Sequence, residues 1–237
     1  MARSWLLALW DIDHTLIENA GVSKKNYATA FEILTGRPSR VPARTSGRTD
    51  AVIMEDLLKA NGEDPGSYSG HVRVKALTEA GVRNRQELAD RGCPLPGAEA
   101  CLSMLWRAEH VKQSVLTGNI EANAKVKLSV FGLDQWMDLS LGAFGDDEPV
   151  RASLVPAAWR RARARFGFDP ERDTTVVIGD TRNDVEAARS EGAHVVAVAT
   201  GVASETDLVE AGADAVLPGL DDVERFWQAI QDLRPPH

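Results

Sequence analysis

Two carboxylates, Asp11 and Asp13, stand at i and i+2 directly after the apolar run Trp5–Trp10, and the hydroxyl of Thr15 follows. A continuous apolar run of this length suits a strand buried on both faces of a parallel sheet, whose ligands collect at the carboxyl ends of the strands. If the extended geometry continues past Trp10, both side chains point the same way. Two like charges held that close need a metal ion or a shared proton to relieve them. Asp is also a common turn residue, so the pair alone equally fits a solvated turn.

Two later stretches repeat the layout of an apolar run ending in polar groups. Ser114-Val115-Leu116-Thr117-Gly118-Asn119 ends in a threonine, and Val176-Val177-Ile178-Gly179-Asp180-Thr181-Arg182-Asn183-Asp184 reads GDxxxxD. Together with Asp11-Ile12-Asp13-His14-Thr15-Leu16, and in this order, they resemble the motifs of the haloacid dehalogenase superfamily of hydrolases. The likeness runs over nearly the whole chain and is greatest to phosphoglycolate-phosphatase-like members.

The resemblance implies a set of roles. Asp11 would attack phosphorus and carry an acyl phosphate, and Asp13 would protonate the leaving alcohol and then activate water. Thr15, Thr117 and the amides of Gly118 and Asn119 would hold the phosphoryl group. Asp11, Asp13, Asp180 and Asp184 would surround a Mg²⁺ ion, Asp184 often through water, which suits a small hard cation that keeps part of its hydration shell. Dehalogenating relatives lack a carboxylate where Asp13 stands, which argues against that chemistry. His14 replaces the glycine common in related phosphatases, so its backbone amide is expected to serve rather than its ring.

One element departs from the pattern. Related phosphatases place a lysine before the long helix that precedes the GDxxxxD strand, and here that region reads Asp146-Asp147-Glu148-Pro149-Val150-Arg151-Ala152. Two residues could supply the missing charge. Lys127, on the edge of a helical apolar stripe between Ala124 and Phe131, is the first candidate. Arg151 is the second; Lys125 points elsewhere. In the polar loop Ser46-Gly47-Arg48-Thr49-Asp50, Arg48 could recognise an anionic group on the substrate.

The elements that must position these residues follow from periodicity. Helices are expected from Tyr27 to Leu34, ending at Gly36, from Thr49-Asp50 to Lys59, and from about His71 to Arg91, broken or loosened near Gly81. Nothing strand-like occurs between about 17 and 92. From Pro94-Leu95-Pro96-Gly97 onward, helices alternate with the strands Val111–Leu116, Thr175–Ile178, His194–Ala199 and Asp214–Leu217, with a weak strand near Leu139–Leu141. The fold class is therefore α/β: a Rossmann-like parallel-sheet core, residues 1–16 and 93–237, with a small all-helical cap, residues 17–92, inserted after the first strand.

A chain of 237 residues with a formal net charge of −8 argues against nucleic-acid or anionic-membrane partners. The run Arg160-Arg161-Ala162-Arg163-Ala164-Arg165 then reads as the solvated face of a helix. Cys93 and Cys101 suggest neither a disulfide scaffold nor a zinc site. The start Met1-Ala2-Arg3-Ser4-Trp5 lacks a cleavage site, and no stretch approaches a membrane span, so a cytoplasmic protein is expected. The partner expected is a small phosphorylated metabolite, bound by a monomer or homodimer. A phosphomutase of the β-phosphoglucomutase type shares every motif above, and a non-catalytic binding protein on the same fold is the remaining alternative.

Overall fold

Every side chain of β1 (Leu6–Trp10) is withdrawn from solvent, as a strand with neighbours on both edges and helices on both faces requires. The computed structural model describes residues 4–45 and 47–234; Ser46 and Met1 to Arg3, named above, lie outside them. After β1 come β2 (Ile17–Glu18), α1 (Val22–Thr35), α2 (Asp50–Ala60), α3 (Gly70–Arg83), α4 (Arg85–Arg91) and β3 (Cys93–Pro94). They are followed by α5 (Ala98–Arg107), β4 (Val111–Val115), α6 (Glu121–Val130), α7 (Leu154–Phe166), β5 (Thr174–Gly179) and α8 (Arg182–Ser190). Then β6 (His194–Val198), α9 (Glu205–Ala211), β7 (Ala215–Leu217) and α10 (Val223–Asp232) complete the order.

The main sheet runs β4-β1-β5-β6-β7, with all neighbours parallel. This is the α/β core expected, and side-chain alternation divides its interior in two. Leu6, Ala8 and Trp10 join one hydrophobic cluster with Leu102, Val115 and Phe226, while Leu7 and Leu9 join a second with Val155, Phe168 and Val177. Trp10 is level with Val115 on one side and Ile178 on the other. The three motif-bearing strands therefore end together, and the residues that follow them emerge along one edge. Asp11 N–H donates to Ile178 O at 2.8 Å and Leu116 N–H to Trp10 O at 2.9 Å, which carries the pairing one step beyond the strands.

A third cluster, built from Tyr27, Phe31, Ile53, Leu57 and Leu77, belongs to α1, α2 and α3. Three details differ from the sequence expectation. Ile17–Glu18 pairs antiparallel with Cys93–Pro94, so a short ribbon does occur at the foot of the helical block. The long helix breaks at Asn84 rather than at Gly81. Asn84 closes α3 through Ala80 O, and its carboxamide donates to Asn26 at 2.9 Å. Gly81 instead sits inside α3, where a Cβ would lie 2.1 Å from the Asn123 carboxamide oxygen; it permits close packing on α6.

The third difference is at Leu139–Leu141, which forms a 3₁₀ turn, not a strand. The Asp138 side chain accepts from Ser140 N–H, a local bond that favours the turn. A lone parallel bridge, Leu116 to Ala143, is all the ladder that remains.

Candidate active site

A cavity of about 730 Å³ opens at the carboxyl edge of the sheet, lined by Asp11, Asp13, Thr117, Gly118, Asn119, Arg151 and Asp180, with Arg48 and Asp50 from the helical block. Asp11 and Asp13 both face it but keep different company. The chain turns immediately after Ile12, whose carbonyl accepts from Leu16 N–H at 2.9 Å and Ile17 N–H at 3.0 Å. His14 adopts φ 61°, in the left-handed region that favours glycine. Its ring pairs with Glu18 at 3.1 Å, and its carbonyl accepts from Thr200.

Asp11 lies with Asp180 and Asp184, and one ligand atom from each falls within 4.8 Å of the others. All three are buried. Burial raises the Asp11 carboxyl above its ordinary range, Arg151 opposes this, and Asp184 and Asp13 add to it. Asp180 is raised further, by burial and then by the charges of Asp11 and Asp184. A buried trio of hard oxygens within reach of one another fits a hard divalent cation. Thr15 donates to Asp180 at 3.2 Å.

Asp184 is the most heavily engaged of the three. One oxygen accepts from Arg151 Nε at 2.9 Å, and the other accepts from the N–H and hydroxyl of Thr181 at 3.0 and 2.6 Å. It is both the N3 member of the capping box that Thr181 opens on α8 and an ion-pair partner, so Asp11 and Asp180 are the less engaged of the three. The Asp13 carboxylate stands outside the trio formed by Asp11, Asp180 and Asp184. Its oxygens are taken by four donors instead: Lys127 at 2.5 Å, Asn19 at 2.8 Å, Asn119 at 2.9 Å and Ser23 at 3.1 Å. Burial alone would raise Asp13, but the charge and hydrogen bond of Lys127, with Asn119 and Asn19, outweigh it and hold the carboxyl at about 2.

The two candidate cations thus divide. Arg151 Nη2 lies 3.1 Å from Asp11 and also pairs with Asp184. Lys127, 3 % exposed, bonds to Asp13 and to the Asn119 carboxamide oxygen at 2.6 Å. The cation beside Asp11 is therefore Arg151, while Lys127, the first candidate for the phosphoryl charge, lies beside Asp13. The stripe-edge position of Lys127 reflects burial, as expected, but the partner is the second carboxylate.

Thr117 is fully buried; its hydroxyl oxygen accepts from the Asn119 carboxamide at 2.8 Å and the Asn119 amide at 3.3 Å. Gly118 is pressed so closely by the chain at Arg48 that a Cβ would meet Arg48 O at 2.2 Å. Arg48 lines the cavity, with its guanidinium paired to Asp56 on α2. Asn19, Ser23 and Asp50 escaped the sequence reading. The first two lie in an unremarkable polar stretch, and an Asp in a first helical turn reads as ordinary dipole complementarity.

The HAD-hydrolase-like family profile matches residues 150–223. The chain is 26% identical over 230 residues to a probable phosphatase, IndB, of Dickeya dadantii, covering 96% of this chain and 95% of that one. It is 26% identical over 216 residues to a phosphoglycolate phosphatase of Chromobacterium violaceum, covering 90% and 92%. Among solved structures, CbbY of Rhodobacter sphaeroides in complex with phosphate superposes with a TM-score of 0.71 at 18% identity, covering 93% of this chain and 96% of that one.

Proposed function

We propose that this chain, a haloacid-dehalogenase-like phosphoric monoester hydrolase by its fold, motifs and relatives, is a Mg²⁺-dependent phosphatase of small phosphorylated metabolites. The observation that carries the reading is the meeting of Asp11, Asp180 and Asp184 within 4.8 Å, with Arg151 3.1 Å from Asp11. That is a nucleophile, a cation site and a fixed positive group at one point of one cavity.

An Asp11 oxygen attacks phosphorus, the bond from phosphorus to the leaving oxygen breaks, and Asp13 supplies the proton that oxygen needs. Water then attacks the aspartyl phosphate, Asp13 takes its proton, and inorganic phosphate leaves with Asp11 restored. Four donors keep Asp13 ionised in the substrate-free protein, the form required for the second step. A phosphoryl dianion arriving opposite raises its proton affinity and prepares the first. The Arg151 fork meets the phosphoryl oxygens, joined by the Thr117 hydroxyl and the Gly118 and Asn119 amides. Asp11 and Asp180 would hold the metal, with Asp184 beside them, and when bound it would offset the charge between nucleophile and phosphate.

Residues 17–92 act as a cap over the core formed by 1–16 and 93–237, excluding water and selecting substrate through Arg48. A panel of phosphomonoesters assayed with Mg²⁺ and with excess chelator tests the reading. Turnover that needs Mg²⁺ and disappears in Asp11→Asn supports it. No turnover on any member would favour the binding-protein alternative, and transfer from a hexose 1-phosphate to a sugar hydroxyl would make it a mutase.

A further inference from the structure

At the first turn of α2 the Thr49 hydroxyl and both the amide and the carboxylate of Asp50 bond to the core. A helix N-terminus leaves amides that the N-cap side chain ordinarily satisfies. Here the N-cap, Thr49, makes no capping bond; its hydroxyl donates to Pro149 O at 2.8 Å, two residues before Arg151. Asp50 goes further. Its N–H donates to Gly118 O at 2.7 Å and its Oδ2 accepts from Ile120 N–H at 2.8 Å. One residue of the helical block therefore grips the chain on both sides of Asn119.

Asn119 is the hub of the groups around Asp13. Its carboxamide donates to Asp13 and to Thr117 and accepts from Lys127. The other Asp50 oxygen accepts from the Tyr27 hydroxyl on α1, so the grip is itself braced by the block's own interior. Asp50 is 2 % exposed, and burying a carboxylate is costly unless its bonds are needed. A dipole-complementing Asp on α2 would have no reason to be buried.

We propose that Asp50 is a positioning residue: by holding Gly118 and Ile120 it sets the Asn119 carboxamide, and through it Asp13, only when the helical block is seated on the core. This rests on the phosphatase reading for its kinetic consequence and not for its structural one. Both are measurable. Tyr27→Phe removes only the brace.

Steady-state hydrolysis of an aryl phosphate with Mg²⁺ is compared for wild type, Asp50→Asn, Asp50→Ala, Asn119→Ala and the double variant Asp50→Ala/Asn119→Ala. In Asp50→Ala, kcat falls about a hundredfold, as displacement of a catalytic group does, with KM within about threefold. Asp50→Asn, which keeps an acceptor for Ile120, recovers to within about tenfold of wild type, and Tyr27→Phe loses less than Asp50→Ala. The double variant is no slower than Asn119→Ala alone. Additive losses, or a rise in KM with kcat intact, would overturn the proposal. NMR reads the structural part without catalysis: exchange of the Asn119 carboxamide protons and the Ile120 amide quickens at least about tenfold in Asp50→Ala. Unchanged exchange would sink the proposal even in an active enzyme. A wild type without phosphatase activity but with quickened exchange in the variant would overturn the functional reading alone.

Discussion

Replacing Arg151 with Met should separate the charge it supplies from the space it fills. The guanidinium lies 3.1 Å from Asp11 Oδ1 and 2.9 Å from Asp184 Oδ1, with both partners buried. Removing one partner from such a buried set costs about 3–5 kcal/mol, because the remaining charges are left uncompensated. For a chain of this size each kcal/mol moves the melting temperature about 2–4 °C, so the metal-free variant should melt roughly 6–20 °C below wild type. Mg²⁺ supplies positive charge to the same carboxylates, so the gap between variant and wild type should narrow as Mg²⁺ is added. With saturating Mg²⁺, kcat should fall about 10²–10³-fold, the usual loss on removing a preorganised transition-state donor. Thermal melts with and without Mg²⁺, paired with steady-state kinetics, read both. A metal-free variant melting within about 2 °C of wild type would refute the electrostatic account. A smaller kcat loss in Arg151→Met than in Lys127→Met would return the phosphoryl-facing role to the lysine.

Other outcomes follow from the same geometry. Asp11→Asn should fold normally and lose essentially all turnover; a tenth of wild-type activity would exclude Asp11 as nucleophile. Mg²⁺ binding near pH 7 should release protons, because burial and the neighbouring carboxylates raise Asp180, and to a lesser degree Asp11, despite the opposing charge of Arg151; binding enthalpies that do not depend on buffer ionisation would contradict this. Burial pushes Asp50 up to about 6, against the bonds from Tyr27 and Ile120, with Lys127 and Asp13 also facing it. Between an unfolded value of about 3.8 and 6 the folded state binds the extra proton, so this contribution to stability is present at low pH and lost as pH rises through 6. Asp50→Asn should then gain on wild type by up to about 3 kcal/mol between pH 4 and 7 in urea titrations, and parallel curves would argue against it. Gly118→Ala should unseat the loop at Arg48, whose carbonyl would meet the new Cβ at 2.2 Å, and raise KM with little loss of thermal stability; an unchanged KM would show that the loop yields.

The fold was legible because its strands announce themselves. Leu6–Trp10 is uniformly apolar, since both faces are covered, and the motif residues stand just past the ends of three such runs. Element type survived wherever periodicity ran for ten residues or more. It failed at Leu139–Leu141, where three apolar residues fit a strand and a 3₁₀ turn equally and a single Asp138 bond decides. The residues that meet in the cavity were legible where residue type is demanding, as at Asp11, Thr117 and Asp180. The partner of each cation was not, because which carboxylate Lys127 or Arg151 reaches depends on how α6 and the turn before α7 dock. Asp50 was harder still: its role lies in the backbone groups it touches, Gly118 O and Ile120 N–H, and backbone partners leave no mark on composition.

The two-rung ribbon of Ile17–Glu18 against Cys93–Pro94 has a consequence for how the molecule comes together. β1 must find β4 across roughly 100 residues of intervening chain, yet once the ribbon zips only about 25 residues remain in the effective loop, two halvings worth about 1.2 kcal/mol of closure entropy. The same shortcut holds whatever is strung between Glu18 and Cys93. The helical block can then lengthen or shrink without changing the register of the sheet, provided that Asn19, Ser23 and Asp50, the residues it lends to Asp13, Gly118 and Ile120, keep their places.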